Sequence, residues 1–485
     1  MKDLTYKTLK EAGYHGYLLE DGKEKVIQFG EGNFLRGFVD DFIDIMNEKS
    51  GFDAKVAVVQ PIPEGRACML NNQEGLYTLY LRGREGNEIK DERRIISCIS
   101  RGIDPYTEFD SFLDLAANDD IEFIISNTTE AGIIYDETCS LQDEPPASFP
   151  AKLTRLLYER FMRSSGGKGY IILSCELIDD NGKYLKDAVL KHSKDWELGS
   201  EFREWIHEEN IFCSTLVDRI VTGYPSESAE KLHRENGYKD DFLDTAEYFG
   251  LWVIEGPDDI GRRIPFDKAG LPVIVTDDHK PYKIRKVRIL NGAHTSMVPV
   301  ALLYGETIVR DSMQNEDIGR FVRDLITEEV IPTIPLCGDQ LNNFARDVFD
   351  RFENPFIDHK LEDISLNSIS KWTARVKPAL KDFVFEYDIL PVHIVFSFAA
   401  LIAFYKKGNI RDSKEVIEFF EKAGKYDDNK ELLEDFMGNE KFFGEDLREI
   451  KSFGELTQQY LDQIEQMGMK EALRLFLKEQ NNGMD

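Results

Sequence analysis

An α/β fold is what this sequence predicts: a doubly wound, mostly parallel sheet domain over residues 1–280, then a mainly α-helical domain over residues 281–485. Three observations carry that prediction. Short β-branched runs recur before residue 280 with helical patterns between them, the alternation that builds parallel sheets. One of these runs feeds a glycine turn that opens an amphipathic helix. From about residue 285 long helical patterns take over and clear strands become few.

The first strand is marked by Val26-Ile27, and Gln28-Phe29-Gly30-Glu31-Gly32-Asn33-Phe34-Leu35-Arg36-Gly37-Phe38 follows. Phe38, Val39, Phe42, Ile43 and Met46 then recur at helical spacing. Strand, glycine turn and helix is the context of a dinucleotide site. Gly30 permits a tight turn, Gly32 lets a pyrophosphate approach the backbone, and the helix N-terminus presents free N–H groups to it. Leu35 stands where the third glycine of G-x-G-x-x-G would be, and an ordinary strand–turn–helix connection has the same appearance. Further strands are expected at 55–60, 123–127, 170–175, 252–254 and 273–276, with helices at 106–117 and 150–163. Ligands of such sheets sit at the carboxyl ends of the strands. Several runs end there in polar residues: Gln60, Asn127 with Thr128, and Cys175 with Glu176. In the second domain helices are expected at 290–304, 317–331, 339–352, 392–405, 413–423 and 456–475. The apolar stretch 394–405 is too short for a membrane span and reads as core.

The net charge of −30 argues against a nucleic-acid surface or an anionic membrane surface as partner. Its simplest consequence is solubility. An anionic substrate would need a local basic pocket. The six cysteines are scattered with no C-x-x-C pair, which suits a reducing compartment. The N-terminal residues lack an apolar signal segment, so a cytoplasmic location is expected.

A second centre lies in Lys283-Ile284-Arg285-Lys286-Val287-Arg288-Ile289-Leu290-Asn291-Gly292-Ala293-His294. On a helix, Asn291 and His294 share a face, and Lys286 lies about two turns back. A lysine, an amide and an imidazole meeting at one spot can do carbonyl chemistry: the ammonium gives a proton to a developing alkoxide while the other two polarise the oxygen. The alternative is a basic surface stretch feeding a helix. No metal site is expected. The eight histidines include no H-x-x-x-H or H-E-x-x-H pattern, and Asp277-Asp278-His279 reads more simply as a junction loop.

Together, Gly30-x-Gly32-x-Phe34-x-Arg36 and Lys286-x4-Asn291-x2-His294 resemble the polyol-specific long-chain dehydrogenases, the mannitol dehydrogenase family. The resemblance extends over nearly the whole chain, and segments 126–132, 174–182, 354–359 and 364–371 are similar to its hexuronate branch. It implies a Rossmann-like N-terminal domain, a helical C-terminal domain, NAD as cofactor and no metal. It further implies NADH-dependent, reversible reduction of D-tagaturonate to D-altronate in galacturonate catabolism. Fructuronate reduction to mannonate and mannitol-type polyol oxidation are the rival activities, and a non-catalytic dinucleotide sensor is the rival of another class. Lys286 is carried over as general acid/base, with Asn291 and His294 orienting the carbonyl. The cofactor contacts carried over or expected are Phe29, Gly30, Gly32, Asn33, Phe34, Arg36, Gln60, Asn127 and Thr128. Substrate contacts are expected at Asn181, Asp218, His359 and Lys371. The resemblance leans to a monomer, with a weak homo-oligomer as the alternative. Two departures stand out. Mannitol-type members carry an asparagine at the position of Leu177, whose oxyanion role is either lost here or taken by Asn181. They also carry an arginine where this chain has Asp363, which leaves Lys371, Lys360, His359 and Arg375 as candidates for a uronate carboxylate.

Overall fold

The computed structural model describes residues 1–482 apart from Glu130, Ser165, Asn409, Ala423, Lys425 and Asp427. Glu130, in the family-like segment 126–132, and Ala423, at the end of the expected helix 413–423, therefore lie outside the described residues. The chain divides into two compact units: Met1–Arg82 with Lys90–His279, and Gly83–Ile89 with Lys280–Asp485.

Among the described residues the first unit holds eleven strands: β1 Lys23–Phe29, β2 Ala54–Val59, β3 Tyr77–Glu85, β4 Glu88–Ile96, β5 Ile99–Ile103, β6 Phe123–Ser126, β7 Ile171–Ser174, β8 Ile211–Asp218, β9 Asp244–Glu247, β10 Leu251–Glu255 and β11 Val273–Thr276, with the β3–β4 tip counted in the second unit. Eight of them form one sheet in the order β11-β10-β8-β7-β6-β1-β2-β5. From β5 to β8 every pairing is parallel, and β10 alone runs antiparallel to its neighbour β8. The order reverses direction between β1 and β6. That is the topological switch point, outside which a doubly wound sheet binds its ligand.

Side chains alternate across this sheet as the pleat requires. Val26, Val56, Val58, Phe123, Ile125, Ile171 and Leu173 join one core with the helix Asn33–Ser50. Ile27, Phe29, Ala57, Val59, Ile124 and Ile172 join the other, with Leu153 and Leu157 of Phe149–Ser164 and Phe202 and Trp205 of Ser200–Glu208. Both faces are covered, so the strands read as continuous apolar runs. Phe38 and Phe42 reach across the first core to Trp252, at 5.7 and 6.5 Å between ring centroids.

A smaller sheet, β4-β3-β9, was not legible in the sequence. β4 carries Lys90, Asp91, Glu92, Arg93 and Arg94 and is mostly exposed along its first half, so no apolar run announces it. β8 also escaped, because Cys213, Ser214 and Thr215 interrupt its apolar residues. In the sheet all three side chains are buried, Ser214 Oγ accepting from Gly182 N at 3.2 Å and Thr215 Oγ1 donating to Ser174 O at 2.6 Å.

The second unit is helical apart from the short segment Gly83–Ile89. Among the hydrogen bonds that tie that segment to it are Arg84 Nη1 to Glu353 Oε2 at 2.6 Å and Gly86 N to Asp350 Oδ2 at 2.7 Å. The centre is Val392–Lys406, apolar all round and almost wholly buried, as a core helix must be. It packs against Gly292–Tyr304 and Phe453–Met467. Expected helix 456–475 is two helices, Phe453–Met467 and Met469–Asn482, separated at Gly468 with φ +81°. Expected helix 317–331 is α-helical over Glu316–Asp324 and π-helical over Leu325–Val330. No helix among the described residues is long and apolar enough to cross a membrane.

Candidate active site

At the carboxyl end of β1 the chain turns at Gly30, whose φ of +117° suits glycine. Its N–H donates to Val59 O at 3.0 Å. A side chain there would stand 3.3 Å from Leu35 Cδ1 and 3.5 Å from Asn127 O, so the turn and the end of β6 lie against each other. Gly32 is the N-cap of Asn33–Ser50 and supplies no side-chain cap to the first N–H groups of that helix. A Cβ built on Gly32 meets nothing within 4 Å. Open space over uncapped N–H groups at a switch point fits a pyrophosphate. Asn33 is exposed beside it, and Phe34 is partly exposed, packed on Phe38 at 5.3 Å.

Asn127 and Thr128 follow β6 at the same edge. Asn127 Nδ2 donates to Cys175 O. Thr128 N and Oγ1 both donate to Glu176 Oε1, at 3.0 and 3.2 Å. Glu176 is buried, and its Oε2 has no hydrogen-bond partner among the described residues. Burial pushes its carboxyl up, against the Thr128 hydrogen bonds that draw it down. It clamps the ends of β6 and β7 together. Its only signal in the sequence is a carboxylate directly after an apolar strand.

Other expected cofactor residues serve the fold through their side chains. Phe29 is buried between Phe112 and Phe149, so only its backbone faces the turn. Arg36 is 2% exposed. Its guanidinium donates to Glu31 O, Asn33 Oδ1 and Phe242 O, and lies 3.5 Å from Asp244 Oδ2. It braces the glycine turn from beneath. Gln60 donates to Ile62 O and Pro63 O at 2.9 and 3.0 Å and accepts from Ala67 N, so its amide is engaged within its own loop.

Among the expected substrate contacts, Asn181 is 1% exposed, and its amide is saturated. Nδ2 donates to Glu176 O and Thr215 O, while Oδ1 accepts from Gly182 N and Thr215 N, all within 2.9–3.0 Å. No donor remains for an oxyanion. Asn181→Ala is therefore expected to lower unfolding stability by about 2 kcal/mol without a selective rise in KM, measurable by denaturant unfolding beside steady-state kinetics. Leu177 is 68% exposed. Asp218 is buried at the carboxyl end of β8, next to Arg219, whose guanidinium pairs with Asp41 at 2.7 Å. His279 N and Nδ1 both contact Glu255, which anchors the loop 277–279.

The second unit carries Lys286, Asn291 and His294. Lys286–Asn291 is a π-helix set between the α-helices Lys280–Arg285 and Gly292–Tyr304. This changes the geometry expected from α-helical spacing. Residues five apart point about 140° away from each other on an α-helix. In a π-helix the hydrogen bond runs from residue i to i+5, so they come to one side, as residues four apart do in an α-helix. Lys286 and Asn291 are five apart, and the wider turn brings them together. Such π turns are frequent at functional sites. Lys286 and Asn291 are both partly exposed.

His294 stacks on Phe352 at 4.1 Å and meets the His359 ring edge-on at 5.3 Å. Its Nε2 is buried with no hydrogen-bond partner among the described residues. Burial, and then the charges of His359, Arg351, Arg375 and Lys371, hold the imidazole well below its ordinary pKa. It is neutral at neutral pH and offers either a lone pair or an N–H. His359 is also held down by burial, against the pull of Asp363. Lys371 Nζ donates to Ile364 O at 2.8 Å. Arg351 and Phe352 were not legible as site residues, since nothing in the helix Gly338–Phe352 marks them out.

Residues 24–268 match the family model described as the mannitol dehydrogenase Rossmann domain, and residues 278–465 match the mannitol dehydrogenase C-terminal domain. A protein of Bacillus subtilis (strain 168) named altronate oxidoreductase is 45% identical over 458 residues, 93% of this chain and 95% of that protein. A protein of the same name from Pectobacterium carotovorum is 50% identical over 386 residues, 79% of each chain. Among solved structures, a substrate-free D-sorbitol dehydrogenase shares the fold with a TM-score of 0.80 at 24% identity, covering 97% of this chain and all of that one.

Proposed function

The chain belongs to the mannitol dehydrogenase family, and from that premise we propose that it is an NAD-dependent oxidoreductase of CH–OH groups that interconverts D-tagaturonate and D-altronate. The names of its relatives support the substrate. The observation that carries the reading is the π turn of Lys286–Asn291 with a neutral His294 among cationic groups. Such a site can polarise a carbonyl and also attract an anion.

NADH, when bound, would supply the hydride that reduces the keto carbon of tagaturonate. As the carbonyl π electrons move onto oxygen, the Lys286 ammonium gives that oxygen a proton and the product is the alcohol. Asn291 and His294 hold the carbonyl oxygen toward Lys286. In the oxidising direction the Lys286 amine takes the hydroxyl proton. NAD is assigned to Gly30, Gly32, Asn33, Asn127 and Thr128, where uncapped helix N–H groups and an open glycine suit a pyrophosphate. The proposed setting is cytoplasmic, with a monomer or weak homo-oligomer and no nucleic-acid or membrane partner.

The test is NADH oxidation with tagaturonate, fructuronate and D-fructose in parallel, and NADPH as control. The expected result is the highest kcat/KM with tagaturonate and NADH. A preference for fructuronate would overturn the substrate, and NADH binding without turnover of any sugar would favour the sensor.

A further inference from the structure

We propose that Arg375 receives the carboxylate of the substrate and thereby sets the preference for a hexuronate over an uncharged ketose. The proposal rests on the reading of the second unit as the reaction site, and it narrows the four cations offered by the sequence to one.

The helix Ser368–Arg375 buries Ile369 and Trp372. Lys371 and Arg375, four residues apart, share its other face. They are not equivalent. The Lys371 ammonium already donates to Ile364 O at 2.8 Å. Arg375 is half-buried, and its one hydrogen bond among the described residues is a long one, Nη1 to Thr295 Oγ1 at 3.4 Å. A guanidinium has five N–H donors, and no carboxylate of the described residues lies within 4 Å of this one. Its neighbours in the same unit are served: Arg288 by Asp382, Arg310 by Asp358, and Arg323 by Glu353. The chain carries 90 acidic residues against 60 basic ones, so a half-buried arginine without an acid is not for want of carboxylates. Burial alone draws its pKa down, with no opposing charge to restore it.

Position points the same way. Arg375 bonds Thr295, the residue after His294, and its charge acts on the His294 imidazole. The guanidinium therefore lies within reach of a molecule whose carbonyl is held by His294. In tagaturonate three hydroxylated carbons separate the keto carbon from the carboxylate, so one substrate can span both groups. His359 is held neutral by burial, and Lys360 is exposed. A planar fork suits a carboxylate bidentately, where an ammonium offers a point charge.

The experiment compares tagaturonate with D-tagatose, its counterpart with a hydroxymethyl group in place of the carboxylate, in the wild type, Arg375→Ala and Arg375→Lys. For Arg375→Ala, kcat/KM for tagaturonate should fall at least roughly 30-fold, mostly through KM, while that for tagatose changes little. Arg375→Lys should recover part of the loss and carries the test if the alanine variant fails to fold. Equal losses on both sugars, or a preference for tagaturonate that survives in Arg375→Lys and Arg375→Ala alike, would overturn this role alone. A wild-type protein with no preference for the uronate would overturn the functional reading and this role with it.

Discussion

Replacing Lys286 by alanine is expected to lower kcat for tagaturonate reduction by roughly 10²- to 10⁴-fold while NADH still binds. The size follows from what is removed. A ketone reduced without a proton donor must leave an alkoxide in a low-dielectric site, and the other ionisable group proposed at the carbonyl is His294. His294 cannot replace the lysine, because burial, with the nearby charges of Arg351, Arg375 and Lys371, keeps it neutral. It can pass on a proton only after first gaining one. Asn291 can stabilise the oxygen but has no proton to give up. NADH affinity, read by fluorescence titration, should stay near the wild-type value, since the nucleotide is assigned to the glycine turn of the other unit. The loss should fall on kcat and on kcat/KM alike, the pattern of an interaction made only in the transition state. A small primary amine added to the variant should restore part of the turnover, which a purely structural lysine would not allow. A variant with near-normal kcat would remove Lys286 from the chemistry.

How much of this was legible in the sequence depends on the kind of information each feature needs. The Gly30–Gly32 turn was readable because strand, turn and helix patterns are local and the glycines have no local substitute. The core strands were readable because both faces are buried and the apolar runs are continuous. Lys286, Asn291 and His294 could be proposed from type and order, but the π turn that carries the first two could not. An α-helix and a π-helix share the same kinds of residue, and the extra residue per hydrogen-bonded turn leaves no mark on composition. Arg36, Gln60 and Asn181 show a different limit. Each is a polar residue near a strand end, as a ligand contact would be, yet each spends its hydrogen bonds on groups of the protein itself. Which polar group finds a protein partner is decided by tertiary contacts, such as the meeting of Arg36 with Phe242 across more than two hundred residues. The same is true of Arg375, which stands out for the carboxylate that its surroundings do not supply.

The glycine turn yields the second large effect, through a contrast between its two glycines. Gly32→Val is expected to weaken NADH binding at least about 100-fold, the loss of two charge-assisted hydrogen bonds or more, with no fall in thermal stability. Gly32 has φ −65° and ψ 162°, a conformation open to any residue. A Cβ there touches nothing within 4 Å, so the folded chain tolerates it. What the added methyl groups do occupy is the space over the helix N-terminus, where a pyrophosphate must come close to the N–H groups. Gly30→Ala should behave in the opposite sense. At φ +117° an L-residue is strained by about 1–3 kcal/mol, and its Cβ would crowd Leu35 Cδ1 at 3.3 Å. That variant loses stability first, and its cofactor affinity falls only as the turn distorts. Melting temperature and NADH titration on the two variants separate the roles: Gly30 makes the turn, and Gly32 keeps it accessible. If Gly32→Val instead bound NADH normally, the pyrophosphate would have to lie elsewhere along the switch point, and Asn127 with Thr128 would become the anchoring edge.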